Sequence, residues 1–184
     1  MRYLFLIATI TLFWVMMPAF AYQTQQGNAY VATSLIDGLK ERIQQGDPTV
    51  DETFQTLDNF FASNSDDYEK ARFLNLRSYQ FILKQDYISA YEVILQAREL
   101  AESSDNTLAL AESYRLEGLI LDFSGEHASS IEAFNRALAL YNEMQSDRVL
   151  FVYSSMGNVY SSLKDYEQIL AFAKKYQQTA QRLY

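Results

Sequence analysis

Small residues recur along this chain about every forty positions, and that period limits its fold more than any other feature. Gly118 in YRLEGLILDFSGE and Gly157 in YSSMGNVYSSLKD are 39 apart, while Ser78 in LNLRSYQFILKQD lies 40 before Gly118 and Gly38 lies 40 before Ser78. Seven or eight residues after each of the last three comes a short polar break: Gln85-Asp86, Gly125-Glu126 and Lys164-Asp165. A ring follows each break, in Tyr87, His127 and Tyr166. A fixed period of this length belongs to chains built from stacked copies of one small unit, each too small to bury its apolar face alone.

The unit itself reads as helical. From Tyr30 onward only Pro48 interrupts the chain, and β-branched residues are too scattered for alternating strands. In Glu126 to Met144, Ile131, Phe134, Leu138 and Tyr141 fall at i, i+3, i+7 and i+10, the spacing of one helix face. Breaks at Ser63 to Asp66, Ser103 to Asn106 and Gln145 to Asp147 are rich in residues that cap a following helix. Asp66 and Glu69 have capping-box spacing. The predicted unit is helix A, tight turn, helix B, longer turn, and the predicted fold is an all-α solenoid of helix-turn-helix repeats.

These residues resemble the tetratricopeptide repeat family, whose pattern sets large apolar, glycine and aromatic positions on helix A before small and aromatic positions on helix B. In the clearest copy the matches are Tyr114, Gly118, Leu121, Ser130, Phe134 and Ala137; in the preceding copy they are Leu74, Ser78, Phe81, Tyr87, Ala90, Ile94 and Ala97. The last copy keeps Tyr153, Met156, Gly157, Tyr160 and Tyr166 but has Ile169 and Tyr176 at its two small positions. The Gly38 copy is degenerate, with Ser34, Asp37 and Glu41 where apolar residues are expected. The resemblance spans residues 30–184 in approximate units 31–70, 71–110, 111–149 and 150–184, and implies a right-handed superhelix. Close approach of helices A and B is expected at Ser78, Ala90, Gly118, Ser130, Phe134, Ala137 and Gly157.

Ahead of the repeats, Met1-Arg2 and the apolar run Tyr3 to Met17 precede Pro18 and Ala19-Phe20-Ala21. That order is the pattern of a secretory signal peptide over residues 1–21, with cleavage after Ala21 and export, most simply to a bacterial periplasm. An uncleaved membrane anchor is the alternative, because Tyr3 to Ala21 is long enough to span a bilayer. Residues 22–29 read as a flexible polar leader. The mature chain would carry 14 Lys and Arg against 23 Asp and Glu, a charge of −9. An acidic surface of that size argues against nucleic acid, and once the signal is removed nothing long enough to engage a membrane remains.

Catalytic chemistry has little to build on. There is no cysteine and a single histidine, His127, at the ring position after a turn, so it reads as a packing residue rather than part of a triad or metal site. No glycine-rich phosphate loop or calcium loop occurs. The reading is therefore no enzyme, no cofactor and no metal. Binding fits better. The family's helix-A faces line a concave groove, which assigns Arg72, Asn75 and Tyr79, then Glu112, Arg115, Leu119 and Asp122, then Phe151, Ser154, Asn158 and Ser161 to a candidate site for a protein or peptide. The same mixture describes a solvated helix face. Tyr166 to Tyr184 keeps Leu170, Phe172, Ala173, Tyr176 and Leu183 where a polar capping helix is expected, so a homodimer contact, a docking surface for another protein and a longer chain are all open. The last would make this the ligand-sensing input segment of a bacterial signalling protein, of the diguanylate cyclase or histidine kinase type.

Overall fold

The structure, a computed structural model, describes residues 29–183. The predicted export signal, its cleavage point and nearly all of the leader lie outside these residues. All regular structure among the described residues is helical: α1 (29–45), α2 (Val50–Ser63), α3 (Asp67–Leu83), α4 (Tyr87–Ser103), α5 (Thr107–Phe123), α6 (His127–Glu143), α7 (Val149–Ser162) and α8 (Tyr166–Leu183). The fold is an all-α helical repeat. Packing divides the chain into two compact units at Phe60, within α2.

In the first unit, α1 buries Ala32, Ile36, Leu39 and Ile43, and α2 buries Val50, Phe54 and Leu57. Both sets follow helical spacing, so each helix presents one apolar stripe. The turn between them is clamped by Asp47, whose carboxylate accepts from Arg42 Nε and from the Thr49 amide, each at 2.8 Å. Hydrogen bonds from the Thr49 hydroxyl, and then from Arg42, hold the Asp47 carboxyl down at about 2.

In the second unit each helix packs on the next, from α3 to α8, and the A helices also meet directly, α3 with α5 and α5 with α7. One core joins Ala111, Phe134, Ala137, Tyr141, Val152, Met156 and Phe172 across α5 to α8. Helix starts follow from the sequence: Asp66, Asp86, Asn106 and Asp165 each accept, at 3.0–3.2 Å, from the amide three residues on. This satisfies an amide that the helix leaves without an internal partner.

The turns differ from the expected alternation of tight and long. α3, α4, α5 and α6 are each 17 residues long, and the three-residue turns 84–86, 104–106 and 124–126 between them are alike. Each places its middle residue in the left-handed region: Gln85, Asp105 and Gly125, followed by Gln145 and Lys164 after α6 and α7. The next amide then closes a Schellman bond, as in Asp86 to the Phe81 carbonyl at 3.0 Å and Glu126 to the Leu121 carbonyl at 2.8 Å. The backbone thus repeats every twenty residues, twice as often as the side chains.

These turns also fix the register of the helix-A small position. The left-handed residues after successive A helices are Gly46, Gln85, Gly125 and Lys164, and seven residues before them stand Leu39, Ser78, Gly118 and Gly157. Leu39, fully buried, therefore occupies the small position of the first copy. Gly38 is one residue off and exposed, with nothing near enough to touch a Cβ.

Close approach of A and B is made differently in each copy. A Cβ at Gly118 would lie 2.7 Å from the Phe134 ring, and Ser130 Oγ donates to the Gly118 carbonyl at 2.8 Å. One copy earlier the same hydrogen bond runs the other way, from Ser78 Oγ to the Ala90 carbonyl at 3.0 Å. In the last copy the expected contact is absent: a Cβ at Gly157 would meet nothing within 4 Å. The residue equivalent to Phe134 there is Ala173, so no ring fills the space.

Candidate functional site

The predicted groove residues fall into three groups. Asn75 is buried and does not face a ligand: its Nδ2 donates to the Ala109 carbonyl at 2.8 Å, and its Oδ1 accepts from Ser113 Oγ at 2.8 Å. Asn106 Nδ2 donates to the Tyr68 carbonyl at 3.0 Å beside it. Both bonds join one repeat to the next, and a buried amide must find such partners. Leu119 packs against the α5–α8 core, Arg72 pairs with Glu69 at 2.8 Å, and Asp122 lies 2.8 Å from His127 Nδ1.

A second group is drawn together. Arg115, only 7% exposed, forks onto Glu112 through Nε at 3.0 Å and Nη2 at 2.7 Å. Tyr141, from the end of α6, donates its hydroxyl to Glu112 Oε2 at 2.5 Å, and Arg148 Nη1 stands 3.6 Å from the same oxygen. Burial would lower the Arg115 pKa, but the Glu112 carboxylate outweighs it and holds the guanidinium charged. Burial, reinforced by Glu112, pushes the Tyr141 hydroxyl well above its ordinary value. Tyr79 of α3 contributes to the field at Arg115. The cluster therefore gathers α5, the end of α6 and the turn before α7 on one carboxylate, and Arg115 is committed to it. Tyr141 reads in sequence as one more apolar helix position, and only the i, i+3 spacing of Glu112 and Arg115 signals the pair.

The third group, Phe151, Ser154, Asn158 and Ser161, is exposed along α7. On α5, the Tyr114 ring meets the guanidinium groups of both Arg98 and Arg136, each 5.6 Å from its centre. Arg98 also reaches Glu117 across the α4–α5 contact at 2.7 Å. Among the described residues no group of three His, Cys, Asp or Glu side chains is placed to hold a metal ion, and no helix is long and apolar enough to cross a membrane.

α8 differs from every earlier helix of its unit. Phe172 is its one fully buried residue, stacked on Tyr160 at 5.5 Å between ring centres, while Tyr166 and Leu170 are each 72% exposed.

No protein-family model matches the chain, and no curated protein matches it. Among solved structures it is similar to BtubC (BKLC) from P. vanneervenii, with a TM-score of 0.63 at 17% identity over 78% of this chain. The chain spans 58% of that protein's length. At this identity the likeness concerns the fold, and it supports a helical repeat.

Proposed function

We propose that this protein is an exported, non-enzymatic repeat module of the tetratricopeptide type that binds a protein or peptide, with α8 as its principal contact surface. The observation that carries this reading is the uncovered apolar face of α8, where Tyr166 and Leu170 stand in solvent beside a single buried anchor, Phe172. Large apolar side chains grouped on one exposed face mark a contact surface. The exposed residues of α7, Phe151 and Asn158 among them, form a secondary surface. The α5 part of the groove contributes less, because Arg115 spends its hydrogen bonds on Glu112. Export rests on the pattern of Met1 to Ala21.

Photo-crosslinking tests the assignment. A crosslinker at Leu170 should give discrete adducts in cells, one at Asn158 fewer, and one at the exposed Glu99 of α4 none of the same size. Equal labelling from all three positions would refute α8 as the contact surface.

A further inference from the structure

α1 and α8 each leave exposed or half-buried the positions that earlier helices use to pack one repeat on the next. Within the second unit, helix B of each copy packs on helix A of the next, as α4 on α5 and α6 on α7. On the B side the positions 9, 12 and 16 residues beyond the left-handed turn residue are Ile94, Ala97 and Ala101 in α4, and Phe134, Ala137 and Tyr141 in α6. All six are at most 1% exposed. In α8 the same positions are Ala173, Tyr176 and Ala180; Ala173 and Tyr176 are exposed and Ala180 is half-buried.

On the A side, α5 meets α4 through Leu110, which packs with Ala101, through Tyr114 beneath Arg98, and through Glu117 paired with Arg98. Counted back from the turn residues, the equivalents in α1 are Val31, Leu35 and Gly38. Val31 is 54% exposed, Leu35 half-buried and Gly38 bare. Beside them is an open apolar cavity of about 160 Å³, lined by Val31, Ala32, Leu35, Thr56, Leu57 and Phe60.

We infer that α8 of one copy docks on α1 and α2 of a second copy, extending the B-on-A stacking from chain to chain, head to tail. The inference rests on α8 being a contact surface and names its occupant. Charge agrees with the pairing: α8 carries three bases and one acid, whereas residues 29–63 carry two bases and six acids. Size agrees as well. α4 and α6 have alanine where α8 has Tyr176, so the helix covering α8 must offer a hollow for the ring, and the α1–α2 cavity is such a hollow. A contact between two different surfaces leaves each pair with one free half of each kind, so copies add head to tail, into a row or a ring.

Sedimentation of the full chain with Tyr176→Glu and Val31→Lys variants tests this. Each variant sets a like charge against the facing surface, and both sites are exposed, so unchanged circular dichroism verifies folding. The wild-type mass should rise with concentration, and each variant alone should associate about tenfold more weakly or less still. Mixed, the two variants should form one-to-one pairs that grow no further, because each retains the half the other lacks. A wild-type chain that stays monomeric at every concentration overturns the inference. So does a Val31→Lys chain that associates normally, which would mean α8 pairs with α8. A monomer that still crosslinks to another protein from position 170 loses the self-stacking and keeps the interaction reading.

Discussion

Phe134 rests its ring against the bare Cα of Gly118, so near that a Cβ there would lie 2.7 Å from the ring carbons. The ring belongs to the buried core and cannot swing into solvent. Alanine for glycine inside a helix normally stabilises by about 0.5–1 kcal/mol, but overpacking costs about 1–3 kcal/mol. Gly118→Ala is therefore expected to destabilise. Gly157→Ala, with open space around it, should show the uncorrected helix gain. Urea denaturation of the two variants would measure both, and equal shifts in the same direction would contradict the packing difference.

Tyr141→Phe removes the hydroxyl that donates to Glu112 Oε2. A hydrogen bond to a charged group contributes about 1.5–3 kcal/mol, and that loss should appear in the denaturation midpoint. Glu112→Ala should cost more, about 3–5 kcal/mol, since it strands the buried Arg115 without its carboxylate.

The same hydroxyl gives the fold an alkaline limit. Its pKa is raised in the folded chain above the ordinary 10.0, first by burial and then by Glu112. The folded state thus holds the proton more tightly than the unfolded state. That contribution is complete below pH 10 and is lost as pH rises beyond it, with a slope of up to about 1.4 kcal/mol per pH unit for one proton. Stability measured from pH 9 to 11 should fall more steeply in the wild type than in Tyr141→Phe, and parallel curves would refute the assignment.

Gln85 and Lys164 hold left-handed backbone at φ 61° and 58°. That conformation costs a residue with a Cβ about 1–2 kcal/mol and glycine almost nothing. Gln85→Gly and Lys164→Gly should each raise stability by up to about 1 kcal/mol after the entropy of the glycine is subtracted. Gly125→Ala, at φ 81°, should lower it by about the same amount. Thermal melts of the three variants check the sign.

Helical character, the forty-residue period and most helix starts were legible in the sequence, because capping and amphipathic spacing act within a few residues of themselves. Asp66 caps α3 through the Glu69 amide, as its spacing implies. The left-handed turns were legible only where a glycine marked them, at Gly46 and Gly125. At Gln85, Gln145 and Lys164 the same conformation is held by residues that do not favour it, and at Asp105 by one that tolerates it.

The candidate site was less legible, for a reason of distance along the chain. Asn75 and Arg115 look alike in sequence, as polar residues on a helix-A face. Asn75 is withdrawn by Ser113, 38 residues away, and Arg115 shares Glu112 with Tyr141, 29 residues from that carboxylate. Whether a helical glycine is a tight contact or empty space likewise depends on whether Phe134 or Ala173 stands opposite. The sequence by itself determined that this protein is a stack of helices with a net acidic charge and large apolar residues carried into Tyr166 to Tyr184. Only the tertiary structure decided which polar groups are spent on joining repeats and which apolar faces are left uncovered, because burial is settled by neighbours far along the chain, as Ser113 is from Asn75, rather than by the residue's own type.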